Sequence, residues 1–554
     1  MATVKGSTIV ARALKNEGVD IFFYLRGGPI GGIINDCHAV GLQGINTRHE
    51  QASAMEAHAY SRVTGKPGVC MTTAGPGATN AVTGVANALV DCCPVITLGG
   101  SSAMALFGKG GWQELDQLAV FKPITKWADR VLETRRIPEY ISDAFRHAVS
   151  GKPGPTYLDL PVDIIEGEVE ESEVIYPVRS RTTIRPAGDP SLVKEAAEIL
   201  VKAERPIVLA GTGTFWSQAS QEFQEFVEKT NVPFFTTPQT RGIVPDDHEM
   251  CFLGARSAAF READVVLVMG TRFNYMLAFG QAPRFSANAK VIQVDIDSAE
   301  IGHNRAVDVG IVGDAKTVFQ QLTEAIGDRR KGANAAWIDK LRAQDTANKE
   351  RQEAQMESNA VPIHPLRLCK EVRDFMDRDA ILTVDGTEIL NFGRQSIPSF
   401  TPGSRLNSGP WGNVGTGIPF AIAAKAAHPD RQVVALTGDV SFGFNGMELE
   451  PAARQGINII TVVSNNAGIG ARAPEMRETN YGQYMGFRDY QKIAEAFGGY
   501  GERVEKPEDI RPALERAAAS GVPAVINVIV ESDVKVVTQA WSAYRTADMG
   551  VKRD

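Results

Sequence analysis

Two short stretches in the last third of the chain hold residue types that could do chemistry together. An apolar run, Val433 to Leu436, leads into Gly438-Asp439; a second, Ile459 to Val463, ends in Asn465-Asn466-Ala467-Gly468. Apolar runs of this length bounded by turn residues read as buried strands. Open α/β sheets bind ligands at the carboxyl ends of such strands. Neighbouring strand ends would set the Asp439 carboxylate, the Asn466 amide oxygen and a nearby backbone carbonyl around one point. These hard oxygen ligands suit Mg²⁺ or Ca²⁺, with a diphosphate completing the shell, and the glycines let backbone N–H groups approach phosphate oxygens. GD or NN alone is an ordinary turn after a strand; the combination at this spacing is the specific signal. A helix is expected between the two, from about Gly446 to Gln455.

A second acid stands far upstream. The stretch NTRHEQASAMEAHAY puts Glu50 after a strand-like approach and at the start of a helix rich in small residues, Ala52, Ser53, Ala54, Ala57 and Ala59. A Glu in a first helical turn is commonly a partner of the helix dipole. The Gly-rich TTAGPGATN (72–80) reads as a βα loop. LNSGPWGNVGTGIP (406–419) has glycines that would admit a flat ring close to the backbone, and VDGTEI (384–389) ends a further strand.

The elements that must position these residues follow from the whole chain. Its 554 residues are too many for one core and imply three or four domains. Hydrophobic residues make up 43% and charged residues 22%, ordinary for a soluble globular protein. A net charge of −8 argues against a nucleic-acid surface. No apolar run reaches the ~20 residues of a membrane span, and MATVKGSTIVARALKNEG lacks a signal peptide's apolar core. Cys37, Cys70, Cys92, Cys93, Cys251 and Cys369 form no CxxC pair or disulfide-like framework, which fits a reducing cytoplasm.

Strand-like runs alternate with helical ones throughout, the signature of parallel α/β sheets. Residues 1–175 carry IFFYL, GVCMT, PVITLGG and PTYLDLP; an acidic, irregular linker follows. Residues 190–330 carry RPIVLAG, VPFFTT, ADVVLVMG, AKVIQVDID and VGIVGD. The charged stretch 329–360 reads as a solvated helix and connector. Residues 361–535 form a third α/β domain bearing the opening motif, and 536–554 are a short tail. Domains one and three share an alternation that suggests a common architecture.

GD followed by NN one strand–helix–strand unit later resembles the diphosphate–metal motif of the thiamine diphosphate (ThDP) enzymes, and RHEQ followed by a small-residue helix, GKPGV and TAGPGATN resembles their pyrimidine-binding region. The resemblance covers nearly the whole chain. It implies three doubly wound domains: pyrimidine-binding, central and diphosphate-binding. Asp439, Asn466 and the Gly468 backbone would then hold Mg²⁺, with Gly438, Val440, Ser441 and Ile469 beside the diphosphate. Gly386, Thr387 and Glu388 would also touch the diphosphate. Glu50 would share a proton with N1′ of the aminopyrimidine and so activate C2 for carbanion/enamine chemistry. Gly75, Pro76 and Asn80 would lie near the pyrimidine and substrate. Val414 would wedge under the cofactor, where the family often has a larger residue. The resemblance also implies a homo-oligomer, a dimer or tetramer, with each site shared between subunits.

Trp112-Gln113-Glu114 sits where acetolactate synthases and acyl-CoA lyases carry Phe-Gln-Glu; Gln113 is the candidate substrate contact, and His49 and Asn80 are candidates for handling alkoxide charge. The same WQE also reads as an exposed helix start. GTRFNYMLAFGQAPRF (270–285), VIQVDIDSAEIGHN (291–304) and SFGFNGMELE (441–450) are similar to stretches of oxalyl-CoA decarboxylases and 2-hydroxyacyl-CoA lyases. RFNYM replaces the RFDDR of FAD-binding acetolactate synthases, which argues against FAD. Arg272, Asp295, Ile296 and Asp314 are the positions that could hold ADP in the central domain. Gly386-Thr387-Glu388 departs from the GAN of the acyl-CoA branch, and Gly27-Gly28-Pro29 is closer to the synthases. Expectation therefore favours a lyase or decarboxylase of 2-hydroxyacyl-CoA or oxalyl-CoA, with an acetolactate synthase-like or benzaldehyde lyase-like carboligase as the alternative. Arg405, Arg545, Lys552 and Arg553 are candidate contacts for CoA phosphates.

Overall fold

The strand-like runs form three parallel sheets, seen in a computed structural model that describes residues 2–469 and 481–534. The first sheet contains β1 (Ile21–Tyr24), β2 (Gln43–Asn46), β3 (Gly68–Thr72), β4 (Val95–Ser101), β5 (Trp127–Arg130) and β6 (Thr156–Pro161), in the spatial order β2-β1-β3-β4-β6-β5. The second contains β7 (Pro206–Ala210), β8 (Phe234–Thr236), β9 (Val265–Met269), β10 (Lys290–Asp295) and β11 (Val309–Val312), in the order β8-β7-β9-β10-β11. The third contains β12 (Ile381–Asp385), β13 (Arg405–Leu406), β14 (Val433–Gly438), β15 (Ile460–Asn465), β16 (Tyr500–Val504) and β17 (Ala524–Ile529), in the order β13-β12-β14-β15-β17-β16. Strand by strand, the first and third sheets have the same topology. In both, the chain leaves the first strand toward one edge and returns to the other side. That reversal opens a crevice at the carboxyl ends of the first and third strands.

The small-residue helix α1 (Glu50–Thr64) joins the outer sheets. It packs on α2 (Pro76–Val90) of its own domain and on a helix of the third domain spanning Gly417–Ala427. Ala54, Ala57 and Ala59 share one core with Phe420, Ala421, Ala423 and Ala424. Side chains this small let helix backbones approach closely, and Gly68 shows how closely: a Cβ there would collide with the Ala57 carbonyl.

All three domains meet at a buried polar hub. Arg62 donates to Asp91 (2.9 Å) and to the carbonyl of Gln239 (2.9 Å), and Gln239 Nε2 donates to Asp91 Oδ1 (2.9 Å). His58 Nε2 lies 3.1 Å from Asp91 Oδ2. Burial would raise the Asp91 carboxyl, but Arg62 and His58 hold it below its usual range. Burial pushes His58 down, toward the neutral ring.

Two expectations change. The helix α3 (Ala335–Met356) is not a freely solvated connector: Trp337, Ile338 and Leu341 are buried in the central core. The helix expected from Gly446 starts seven residues earlier, at Asp439. Segment 536–554 lies outside the described residues.

The Ala57 contact yields a test. Gly68→Ala should destabilise the chain by about 1–3 kcal/mol, since backbone must move to admit the methyl. The expected reading is a lowered thermal midpoint with unchanged far-ultraviolet circular dichroism at 20 °C.

Candidate functional site

The third sheet's crevice collects the residues singled out at the C-terminal end. Helices α4 (Glu388–Ser396), α5 (Gly417–Ala427), α6 (Asp439–Asn445) and α7 (Leu449–Arg454) surround it. Asp439 leaves the end of β14; its Oδ1 accepts the Val440 amide at 2.8 Å, and its buried Oδ2 has no hydrogen-bond partner. Burial pushes this carboxyl up to about 7, against the pull of the Val440 and Gly468 amides. An orphaned buried carboxylate oxygen is costly unless a cation meets it. Asn466 follows β15, and its Nδ2 donates to Glu388 Oε2 at 2.8 Å, which leaves Oδ1 outside that bond. Gly468 adopts φ +148°, and a Cβ there would collide with the Gln483 carbonyl. Ile469 donates its amide to that carbonyl at 2.8 Å. At Gly386 (φ +107°) a Cβ would stand 3.1 Å from Ser441 Oγ and 3.3 Å from the Gly438 nitrogen. Gly386, Gly438 and Ser441 therefore converge, and Thr387 and Glu388 open α4 beside them. The donor set and the bare backbone fit a divalent cation holding a diphosphate.

The loop with Val414 is pinned from both sides. Asp385, at the end of β12, accepts the Gly417 amide at 3.0 Å. Asn445 of α6 donates to the Gly415 carbonyl at 2.6 Å. Burial pushes the Asp385 carboxyl up to about 6, opposed by the amides of Gly417, Gly386, Gly415 and Thr416. Val414 is thus held half-buried at the mouth of the crevice. Sequence reading missed Asp385 and Asn445; the acid directly before Gly386 was the available signal.

In the first domain, Glu50 is the first residue of α1 and is buried, 5% exposed. Its Oε2 accepts from Asn80 Nδ2 at 3.0 Å. Its Oε1 lies against Gly77, where a Cβ would come within 3.0 Å. Gly75 (φ +56°) caps α2 ahead of Pro76, and a Cβ there would stand 2.7 Å from the Gln113 carbonyl. The structure thus brings Glu50, Gly75, Asn80 and the Gln113 backbone into one neighbourhood. Gln117, which sequence reading also missed, fixes it: Oε1 accepts the Gly75 amide (2.6 Å) while Nε2 donates to Asp159 Oδ1 (2.7 Å) and Tyr157 (2.7 Å). Trp112-Gln113-Glu114 is a turn and not a helix start; Trp112 is 81% exposed, Gln113 sits at φ +55°, and Glu114 accepts the Gly111 amide at 2.8 Å. His49 is exposed and caps α1, its Nδ1 accepting the Gln51 amide at 3.1 Å.

The central-domain positions are less concentrated. Arg272 donates to the Val90 carbonyl at 2.6 Å. Asp314 caps the following helix and accepts from Arg185 at 3.1 Å. Asp295 accepts the Asp297 amide at 3.0 Å, burial pushes it up to about 6, and Ile296 beside it is half-buried. A cavity of about 190 Å³ is lined by Arg272, Phe273, Asn274, Gln293, Glu300, His303 and Asn304. It includes Arg272 but not Asp295, Ile296 or Asp314, and is smaller than the ~300 Å³ lower end of typical ligand sites. Arg405 is a correction: it is buried, 1% exposed, and donates to the Ile397 carbonyl at 2.9 Å, so it is no surface contact. Arg545, Lys552 and Arg553 lie outside the described residues.

With this geometry in hand, comparison with known proteins defines the class. Sequence models of the thiamine pyrophosphate enzymes match residues 4–120 (N-terminal TPP binding domain), 193–322 (central domain) and 390–528 (C-terminal TPP binding domain). The chain belongs to this family, and its three parallel α/β domains correspond to the family's three. Among its relatives, a 2-hydroxyacyl-CoA lyase of Arabidopsis thaliana is 35% identical, covering 96% of each chain. A probable acetolactate synthase of Mycobacterium bovis is 34% identical, covering 96% of this chain and 97% of its own. The oxalyl-CoA decarboxylase of Escherichia coli is 33% identical, covering 95% of each. The protein is thus a ThDP-dependent enzyme related to lyases, decarboxylases and synthases.

The Asp385 environment predicts a pH effect. A carboxyl raised on folding adds stability that is present below its unfolded value near 4 and is lost as pH rises through about 6. Wild type should lose stability relative to Asp385→Asn by about 1–3 kcal/mol between pH 4.5 and 7.5. Denaturant melts of the cofactor-free proteins at the two pH values check it.

Proposed function

We propose that the protein is a ThDP- and Mg²⁺-dependent carbon–carbon lyase or decarboxylase acting on 2-hydroxyacyl-CoA or oxalyl-CoA-like substrates. The observation that carries the CoA reading is an unmatched basic seam between the central and third domains. Arg241 pairs with Asp246 through both Nε (2.8 Å) and Nη2, and its Nη1 donates to the Arg394 carbonyl at 2.6 Å. Beside them, Nε of Arg256, Arg394 and Arg405 has no hydrogen-bond partner. Burial and repulsion from neighbouring arginines push the guanidinium groups of Arg256 and Arg394 down, a shift that an anion beside them would offset. Arg394 lies about 1.7 turns along α4 from Glu388, roughly 9 Å. Tyr275 of the central domain donates to the Pro410 carbonyl at 2.8 Å and so ties the seam to the Val414 loop. A phosphate-bearing tail reaching from the crevice would meet the half-buried Arg256 and Arg394, with Arg405 enclosed behind them.

When bound, ThDP supplies a nucleophilic carbon and an electron sink. The chain's own part is to orient and to manage protons. Glu50, fixed by Asn80 in a dry pocket, is placed to hold or release a proton at the aminopyrimidine. Asp439, Asn466 and Gly468 would hold Mg²⁺, and Gly386 and Ser441 line the diphosphate cradle. Gln113 and His49 stand near the pyrimidine end as polar groups for substrate oxygens. In the described residues α6 leads away from Asp439 to Asn445, whose Nδ2 reaches Met55 Sδ at 3.6 Å, and Glu50 makes no contact with Asp439. This supports a site completed by a second copy of the chain, and Phe444 (60% exposed) and Met447 (56%) offer it an apolar face. ADP in the central domain and a cytoplasmic location remain part of the proposal; the six buried, unbridged cysteines agree with the latter. No helix among the described residues is long and apolar enough to cross a membrane.

The second reading, a carboligase of free 2-oxo acids, is favoured by the similarity to the Mycobacterium bovis protein. Turnover of oxalyl-CoA, a 2-hydroxyacyl-CoA, pyruvate and benzoin separates the two: product from a CoA thioester supports the first, acetolactate from pyruvate alone the second. Arg394→Gln should raise KM for the CoA thioester about tenfold or more, the cost of one charged hydrogen bond, and leave CoA-free substrates unchanged. Glu50→Gln should abolish turnover of every substrate; near wild-type rates would overturn the role given to Glu50.

A further inference from the structure

The turn before Glu50 is held by the third domain of its own chain. Glu448 accepts the Arg48 amide at 2.9 Å and 3.2 Å through its two oxygens. Gln455 brackets Asn46, taking its amide at 2.9 Å and donating to its carbonyl at 2.9 Å. Arg454 donates to the Asn46 side chain at 2.9 Å, and Arg48 pairs with Glu450 at 3.1 Å. Residues 46–48 are thus gripped by one short segment, 448–455.

That segment is continuous with the Asp439 end of the crevice. Asp439–Asn445, one 3₁₀ turn at Gly446–Glu448, and Leu449–Arg454 follow without a loop. Phe442 and Leu449 are each 1% exposed, so the run is anchored in the core. At helical rise, Glu448 lies roughly 13 Å from Asp439. Beneath the grip sits Glu56, fully buried, with neither carboxyl oxygen hydrogen-bonded. Burial and the nearby Glu448 push the Glu56 carboxyl well above its ordinary range.

We infer that segment 448–455 is a relay that ties the turn carrying Glu50 to the Asp439 end of the same chain, with Glu448 as a positioning residue for Glu50. The inference rests on the cofactor reading above. If the sites are shared between two copies, the relay joins one site's diphosphate end to the other site's acid.

Inorganic pyrophosphate with Mg²⁺ can occupy the Asp439 end but is too short to touch Glu50. Hydrogen–deuterium exchange of the full-length protein should show slower exchange at residues 438–441 and also at 46–53 on adding it. In Glu448→Gln, protection at 438–441 should persist and that at 46–53 should fall about tenfold, the worth of one charged hydrogen bond. Gln455→Ala, which cuts the Asn46 bonds, should weaken the same peptide and serves if Glu448→Gln folds poorly. Protection at 438–441 without any at 46–53 in wild type, or equal protection at 46–53 in both variants, would overturn the relay alone. No protection at 438–441 would overturn the diphosphate reading, and the relay with it.

Discussion

The close approach of α1 and α5 is the constraint on which the rest depends. Two helices faced with Ala let the first and third domains share one core, so the turn before Glu50 can reach segment 448–455. Larger side chains would part the helices and with them every bond across that boundary, since cores tolerate added volume poorly. The arrangement also decides where chemistry can occur. Each outer sheet opens its crevice at the same point of the same strand order, and each crevice gathers one of the two residue groups proposed to hold the cofactor.

Within those crevices the glycines and acids divide the work. Gly386 and Gly468 let backbone pack closely, against Ser441 and Gly438 and against the Gln483 carbonyl, while Asp385 and Asn445 hold the Val414 loop nearby. Gln117 does the same for Gly75 in the first domain. None of these three polar residues need touch a ligand, yet each fixes a residue that would. Buried polar groups of this kind are stabilising only when fully bonded. Asp439 Oδ2 is among the buried atoms left open, and a cation there would satisfy it.

Much of this was legible in the sequence. The apolar runs gave the strands, because β-branched runs bounded by glycine have few other solutions; Asp439 and Asn466 were singled out at two strand ends, and Glu50 by the family resemblance. The start of α6 was not legible: DVSFGFN contains a glycine, a β-branched residue and two aromatics, weak helix formers, and burial of Phe442 overrides them. The α3 stretch looked solvated because most of it is polar, while its docking depends on Trp337, Ile338 and Leu341 near one end. Gln117 acts within the first domain and Glu448 and Gln455 across domains, but single-sequence patterns carry no information about which distant amide a side chain will meet. The basic seam was invisible for the same reason: its arginines come from separate elements of two domains.

The hub around Asp91 has a consequence for how the protein comes apart. Arg62, His58 and Gln239 satisfy one carboxylate from two domains, and Arg62 also leans on the Arg405 carbonyl of the third at 3.5 Å. The Arg62–Asp91 pair stays within the first domain, but opening either neighbouring domain would strip it of its Gln239 bonds or of the Arg405 carbonyl. The three sheets are thus coupled at one buried point, and parting them there is opposed.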